Sequence, residues 1–192
     1  MQILKHCTAV LLTLFAATVH AAPLADNDRI PVDLRRTTLV VKDLEASLAL
    51  YRDAIGMKVV YDNMVRSPRE ATNNEEADSA IHLVFLQAND TFVGILGLMQ
   101  YEKPIKPAPA SMPEPFNPGS IVLLFNTNDL EAGFARVSTV PGVTVLNPPR
   151  DTYYPSYDGK GRIPARVSIL VDPDGHVVEY NQLMMAPEEM LK

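Results

Sequence analysis

Apolar and polar residues alternate in short runs along the chain, and one run near the end shows the pattern clearly. Residues 167–180, VSILVDPDGHVVEY, place apolar side chains on both sides of the polar sequence DPDG. Proline presets φ, glycine accepts a positive φ and aspartate bonds to nearby amides, so this run predicts a β-hairpin. Its second strand carries a carboxylate, Glu179. A buried carboxylate needs a partner, so Glu179 faces either solvent or a cavity that holds a metal, an arginine or a ligand.

The pattern of the first half of the chain recurs in the second half. Residues 39–60, LVVKDLEASLALYRDAIGMKVV, resemble residues 125–146, FNTNDLEAGFARVSTVPGVTVL, at a shift of 86 positions. Each copy predicts an apolar strand, an aspartate that caps an amphipathic helix, and a glycine that ends this helix before another strand. The capping and terminating residues are Asp43 and Asp129, and Gly56 and Gly142. With the hairpins that follow, each half is predicted as strand–helix–strand–strand–strand.

Three long segments lie outside this pattern. Residues 102–119 contain six prolines, a composition typical of an extended, semi-rigid connector. Residues 61–80 and 147–165 are predicted as loops, and loops of this length are either functional lids or disordered. The predicted organisation is a first module, a Pro-rich linker, a second module and a C-terminal tail, over residues 34–101, 102–119, 120–183 and 184–192.

The first 21 residues predict a secretory signal peptide. Lys5 and His6 precede an apolar run at residues 9–19, which is too short to span a bilayer. The small residues that follow suit a signal peptidase, so we expect cleavage after Ala21. The processed protein would then be periplasmic or secreted, without a membrane anchor, and would begin with an extension over residues 22–33.

Composition narrows the range of partners. The single cysteine, Cys7, lies in the predicted signal peptide, so the processed protein would use neither thiol chemistry nor disulfides. The net charge of the chain is −6 and it has no Lys/Arg run, which argues against nucleic acid and anionic membranes as partners. A small molecule is the expected partner, and a homodimer is compatible with the sequence.

Three motifs carry a resemblance to a known family. They are VKDLEAS at residues 41–47, YRDAIGM at residues 51–57 and DPDGHVVE at residues 172–179. In this arrangement they resemble the vicinal oxygen chelate superfamily, which includes glyoxalase I, bleomycin-resistance proteins and extradiol dioxygenases. The resemblance implies an α+β fold in which two βαβββ modules form an incomplete barrel, with the ligand in a cup between the modules. It does not specify the activity, because the superfamily hosts several chemistries.

The metal enzymes of that superfamily bind a divalent ion through the first and the last strand of each module. The two first-strand positions correspond here to Arg36 and Val122, and neither side chain has a lone pair to donate. The last strand of the first module, within residues 91–101, contains no acid and no histidine. Only Glu179 remains as a ligand, and one glutamate does not hold a catalytic metal. We therefore expect no metal cofactor.

The resemblance places Arg36 and Glu179 in the same cup, and two interpretations of them stay open. The two side chains could pair as a buried salt bridge in place of the metal site. Alternatively, Arg36 would hold an anionic or carbonyl-bearing ligand while Glu179 acts as a general base. The histidines match no ligand position; His82 is interpreted as a half-buried strand residue and His176 as an exposed turn residue.

Residues 150–166, RDTYYPSYDGKGRIPAR, combine aromatic and basic side chains. One interpretation is a lid that stacks rings and guanidinium groups on a ligand. The other is a surface loop that covers the mouth of the barrel or a dimer contact. The candidate ligand-binding residues are Arg36, Glu179, Tyr153, Tyr154, Tyr157 and Arg166, with Glu179 also the candidate catalytic group.

Two functions from different classes remain. The first is an exported protein that binds a small organic molecule in the cup without a catalytic metal. The alternative is a metal-dependent lyase or dioxygenase, of the glyoxalase I or extradiol type, with an atypical site. The missing ligands favour the first function.

Overall fold

The computed structural model describes residues 26–108, 111–112, 114–186 and 189, so the predicted signal peptide lies outside the described residues. After a short 3-10 turn at Asp26–Asp28, the first module consists of β1 (Arg36–Val40), α1 (Leu44–Leu48, continuing as a π-helix over Ala49–Ala54), β2 (Lys58–Ser67), β3 (Ser79–Gln87) and β4 (Ile95–Lys103). The second module consists of β5 (Val122–Asn126), α2 (Leu130–Val137), β6 (Thr144–Pro155), β7 (Arg162–Val171) and β8 (Val177–Leu183). In these ranges no helix has the length and hydropathy that a membrane crossing requires.

Each module contains its own four-stranded sheet. The strand orders are β1-β4-β3-β2 and β5-β8-β7-β6. In both sheets the first strand of the module pairs in parallel with the last, and the other pairs are antiparallel. The two sheets are separate and neither closes into a barrel. The predicted α+β fold of two βαβββ modules is confirmed.

The two helices begin in the same way. The side chain of Asp43 accepts a hydrogen bond from the Ala46 backbone N–H at 3.1 Å, and that of Asp129 accepts one from the Ala132 N–H at 3.0 Å. Each bond satisfies an amide that the first turn of a helix leaves unpaired. The repeat identified in the sequence is therefore a structural repeat with equivalent caps.

The modules share one hydrophobic core. Tyr51 of the first module is fully buried with Leu130 and Val178 of the second. Its ring lies 6.0 Å from that of Phe125, and its hydroxyl donates to Oδ2 of the buried Asp172 at 2.8 Å. The helical segment of the first module is thus bonded directly to the DPDG turn of the second.

The two segments predicted as loops each contain parts of two strands, and only residues 68–78 and 156–161 lie between strands. β2 continues to Ser67, and β6 continues to Pro155. Both are edge strands, and their registers shift at bulges, between Val59 and Tyr61 in β2 and after Val145 in β6. Bulges and edge prolines interrupt the period-two alternation by which a strand is recognised. The predicted bounds of the loops, residues 61–80 and 147–165, were wrong for that reason, because the loops themselves are shorter.

Candidate functional site

The strand register identifies the residue of the first module that corresponds to Glu179. Glu179 lies beside Leu124 in the parallel pair β5–β8. The repeat shift aligns Leu124 with Thr38, and Thr38 lies beside Gly97 in the parallel pair β1–β4. Gly97 therefore occupies the position in the first module where the second module has its carboxylate.

Arg36 contacts an aromatic ring. Its Cζ lies 4.0 Å from the centroid of the Phe85 ring, and its Nε–H donates to Thr38 Oγ1 at 3.1 Å. Phe85 of β3 lies opposite Gly97 on the intervening strand β4, which places no side chain between the guanidinium and the ring. Tyr61 of β2 stacks on Phe85, with centroids 4.7 Å apart. We call Arg36, Phe85 and Tyr61 the arginine–aromatic row.

Glu179 lies among polar side chains of the second sheet. Asn181 Nδ2 donates to Glu179 Oε2 at 3.4 Å. Asn181 is 2% exposed, and its Oδ1 is buried with no hydrogen-bond partner in the described part of the chain. The pKa of the Tyr154 hydroxyl is raised, first by burial and then by the negative charge of Glu179, while the side chain of Asn181 lowers it in part. We call Glu179, Asn181 and Tyr154 the carboxylate cluster.

Arg36 and Glu179 do not form an ion pair with each other. Arg36 bonds to Thr38 and stacks on Phe85 in the first sheet, whereas the hydrogen bond of Glu179 is to Asn181 in the second. Stacking on an aromatic ring gives a guanidinium a favourable environment without a carboxylate. The structure therefore does not show the salt bridge that the sequence suggested for these two residues.

The three tyrosines of residues 150–166 do not share one surface. Tyr154 belongs to the carboxylate cluster, whereas the adjacent strand residue Tyr153 lies on the other face of β6 and is 63% exposed. Tyr157 lies in the turn between β6 and β7 and is 73% exposed. Only one of the three tyrosines is near Glu179.

Arg166 is bound to carboxylates outside the carboxylate cluster. Its guanidinium donates to Glu131 Oε1 at 2.7 Å and to Asp151 Oδ1 at 2.9 Å. The hydrogen bond to Glu131, followed by that to Asp151, raises the pKa of Arg166. Glu131 belongs to α2, so Arg166 lies on the face of β7 that α2 covers, whereas Glu179 pairs with Ile169 on the opposite face.

The two histidines lie in different surroundings. His82 Nε2 lies 2.6 Å from Asp62 Oδ1 on the neighbouring strand, and the half-buried position predicted for it is confirmed. His176 was predicted to be exposed, which is wrong: it is half-buried, and its Nε2 is buried without a hydrogen-bond partner among the residues that are described. The cause is the linker, because Met112 lies against the adjacent turn residue Gly175.

The positions where the superfamily's metal enzymes carry ligands do not suit a metal here. They correspond to Arg36, Gly97, Val122 and Glu179, which together supply one carboxylate. Within the described ranges, no group of three or more His, Cys, Asp or Glu side chains is arranged to hold a metal ion. A divalent ion needs two or three protein ligands at a catalytic site. The residues present therefore do not fit an ion bound in the superfamily's manner.

Sequence reasoning missed four residues of these two surfaces, namely Tyr61, Phe85, Gly97 and Asn181. One signal was available, because a glycine inside a strand often marks a close approach of neighbouring groups. A Cβ on Gly97 would lie 2.6 Å from Thr38 Oγ1. The residues that approach Gly97 depend on the register of the paired strands, and the sequence pattern does not give this register.

Comparison with known proteins establishes the family. The model of the Glyoxalase/Bleomycin resistance protein/Dioxygenase superfamily matches residues 33–180. The chain belongs to this superfamily. No curated protein matches the sequence significantly.

Solved structures with the same fold share little sequence with this chain. A glyoxalase family protein from Bacillus cereus has a TM-score of 0.62 and 12% identity, and the match covers 84% of this chain and 100% of that one. A glyoxalase I mutant from Zea mays has a TM-score of 0.51 and 20% identity, covering 78% of this chain and 45% of that one. Similarity at this level describes the fold and does not identify a ligand or a reaction.

Proposed function

We propose that this protein binds a small organic molecule in the cup between its modules, through the arginine–aromatic row and the carboxylate cluster, without the divalent metal of the superfamily's enzymes. The observation that carries the proposal is the position of Arg36. At a position where a metal ligand would stand, the guanidinium is held 4.0 Å above the Phe85 ring. A permanent cation at that position would repel a divalent metal and attract an anion.

The arginine–aromatic row suits a flat ligand with an anionic or carbonyl oxygen. Thr38 and Phe85 hold the guanidinium in one orientation through its Nε–H and its planar face. A fixed guanidinium loses less freedom when it binds a carboxylate or carbonyl group with its remaining N–H donors. Arg36 and Tyr61 lie on opposite sides of the Phe85 ring, so the ring of Tyr61 at the end of the row offers the aromatic surface for the ligand body.

The carboxylate cluster suits a part of the ligand that donates hydrogen bonds. Glu179 is a half-buried acceptor that receives one long hydrogen bond, from Asn181 Nδ2 at 3.4 Å, so its carboxylate can accept a further hydrogen bond. A ligand with an N–H or O–H group would supply the donor. The proposed ligand therefore carries an acceptor group for Arg36 and a donor group for Glu179.

A fluorescent probe with a flat apolar body and an anion tests this proposal. We expect 8-anilinonaphthalene-1-sulfonate to bind the purified protein saturably. Arg36→Met should weaken its binding about tenfold, because charge-assisted hydrogen bonds contribute about 1.5–3 kcal/mol. Arg166→Met is the matched control, because Glu131 and Asp151 already occupy its guanidinium. Equal affinities of the two variants would contradict the proposed role of Arg36.

A further inference from the structure

A separate cavity lies where the linker crosses the ends of β1 and β4. Its volume is about 410 Å³, within the range of about 300–1,000 Å³ typical of small-molecule sites. Val40 and Tyr101, at the ends of the parallel strands, form one side, and Ile105 and Met112 of the linker form another. His176 of the β7–β8 turn also lines it. We call this the linker cavity; it contains no residue of the arginine–aromatic row or the carboxylate cluster.

The turn and the linker fit closely at this cavity. Gly175 has a φ of 96°, and a Cβ at this position would lie 2.6 Å from Met112 Cγ. A glycine therefore allows Met112 to lie against the turn. The turn itself is fixed to the first module, because Asp174 Oδ1 accepts from the Lys42 backbone N–H at 2.9 Å and Oδ2 accepts from Ser47 Oγ at 3.0 Å.

Of the two cations that line the linker cavity, Lys42 donates to the Pro173 carbonyl and Lys106 is available to a ligand. Both oxygens of Asp174 are bonded as described, and Glu102 Oε1 accepts from Gln100 Nε2 at 2.8 Å. The ammonium of Lys106 lies 5.3 Å from the centroid of the Tyr101 ring and forms no salt bridge with a described residue. The residue His176 also lines the cavity, but its Nε2 atom is buried and does not reach the cavity surface. The walls are otherwise largely apolar.

From this chemistry we propose that the linker cavity is a second binding site, which takes a small apolar molecule carrying a carboxylate. The apolar body lies against Val40, Tyr101, Ile105 and Met112, and the carboxylate is neutralised by Lys106. An apolar acid satisfies at once the apolar wall and the ammonium of Lys106, which forms no salt bridge with a described residue. This proposal does not depend on the one made for the cup.

Octanoate is a suitable probe, and the histidine rings report where it binds. In ¹⁵N-labelled protein, the ring nitrogens of His176 and His82 are assigned with the variants His176→Gln and His82→Gln. Octanoate should shift the His176 signals saturably and leave those of His82 unchanged. Lys106→Met should weaken octanoate binding about tenfold in calorimetry, through loss of a charge-assisted contact. Lys160→Met, in the distant β6–β7 turn, is the matched control and should bind octanoate as the parent does.

Three results would overturn the second site. The His176 signals could remain unchanged at saturating octanoate, the neutral 1-octanol could bind as tightly as octanoate, or Lys106→Met could bind as well as Lys160→Met. Arg36→Met separates this site from the cup. It should leave the octanoate-induced shift of His176 intact, and loss of that shift in this variant would assign octanoate to the cup and reject the linker cavity.

Discussion

Gly97 in the first module occupies the position that Glu179 occupies in the second. Because the glycine adds no side chain to β4, Arg36 of β1 reaches the ring of Phe85 on β3. The corresponding position of the second sheet carries a carboxylate beside Leu124 and Ile169. Two modules with the same topology thus present surfaces of opposite charge, one built on a guanidinium and aromatic rings and the other on a carboxylate.

Gly97→Ala should destabilise the protein by about 1–3 kcal/mol, the usual cost of overpacking. The added Cβ would lie 2.6 Å from Thr38 Oγ1 and 3.1 Å from Thr38 Cγ2, so the Thr38 side chain must move. Urea denaturation of the parent and the variant measures the effect. Shortening Thr38 to alanine removes both atoms, so the double variant Thr38→Ala/Gly97→Ala should recover part of the loss. Additive effects of the two substitutions would show that Thr38 is not the obstacle.

Tyr51→Phe should lower the free energy of unfolding by about 1–3 kcal/mol, because the buried carboxylate of Asp172 loses a donor. Two backbone amides, those of Asp174 and His176, still donate to its other oxygen and limit the damage. Tyr153→Phe is the control, because Tyr153 is largely exposed and should tolerate the change. Thermal unfolding of the three proteins at neutral pH gives the comparison. If Tyr51→Phe were as stable as the control, the hydrogen bond between Tyr51 and Asp172 would not contribute to stability as predicted.

The burial of Tyr51 also leads to a prediction for the stability of the protein at alkaline pH. Burial, and then the charge of Asp172, raise the pKa of this phenol well above its ordinary value of 10.0. The folded state therefore keeps a proton that the unfolded state loses, so Tyr51 contributes a loss of stability as the pH rises above about 10. Tyr51→Phe should be less sensitive to pH over that range than the parent. The free energies of unfolding of the parent and of Tyr51→Phe are measured from pH 8 to 11. Parallel curves for the two proteins would contradict the described titration of Tyr51.

The substitutions Arg36→Met and Glu179→Gln should have additive effects on stability. The two residues contact different partners in different sheets, and independent sites add to within about 0.3–0.5 kcal/mol. A double-mutant cycle followed by urea denaturation measures their coupling energy. A coupling energy of several kcal/mol would show that the two residues form the salt bridge that the sequence suggested. Arg36 would then not be available to bind an anion.

The sequence predicted the repeated elements because their signals are local. Asp43 and Asp129 cap helices as expected, and the glycines predicted to end the helical segments, Gly56 and Gly142, have positive φ values of 95° and 83°. A cap or a helix-ending glycine depends on neighbouring residues within a turn or two. Such features can be found before the fold is known.

The contacts of the candidate site were not predictable in the same way. Arg36 meets Phe85 across a strand that is distant in sequence, and Asn181 lies beside Glu179 because of the alternation in β8. Such contacts depend on strand order and register, and a bulge changes which face later side chains occupy. Arg166 illustrates the consequence: composition grouped it with Tyr154, but it lies on the face of the sheet that carries α2.

Export is a prediction of its own. If residues 1–21 act as a signal peptide, the protein recovered from the periplasm or the medium should begin at Ala22. N-terminal sequencing of the protein from its producing cells measures this directly. A variant with Leu11→Arg and Leu12→Arg, which interrupts the apolar run, should accumulate in unprocessed form. Recovery of the unaltered protein with its first 21 residues still attached would contradict the expected cleavage.

Metal content tests the central claim most directly. Purified protein is equilibrated separately with Ni²⁺, Zn²⁺, Mn²⁺ and Fe²⁺, passed through a desalting column and analysed for bound metal, beside the Glu179→Gln variant. The account predicts no stoichiometric metal in either protein, because Arg36, Gly97 and Val122 provide no ligand side chain beside Glu179. One tightly bound ion per chain that Glu179→Gln removes would contradict it and would favour the metal-dependent lyase or dioxygenase.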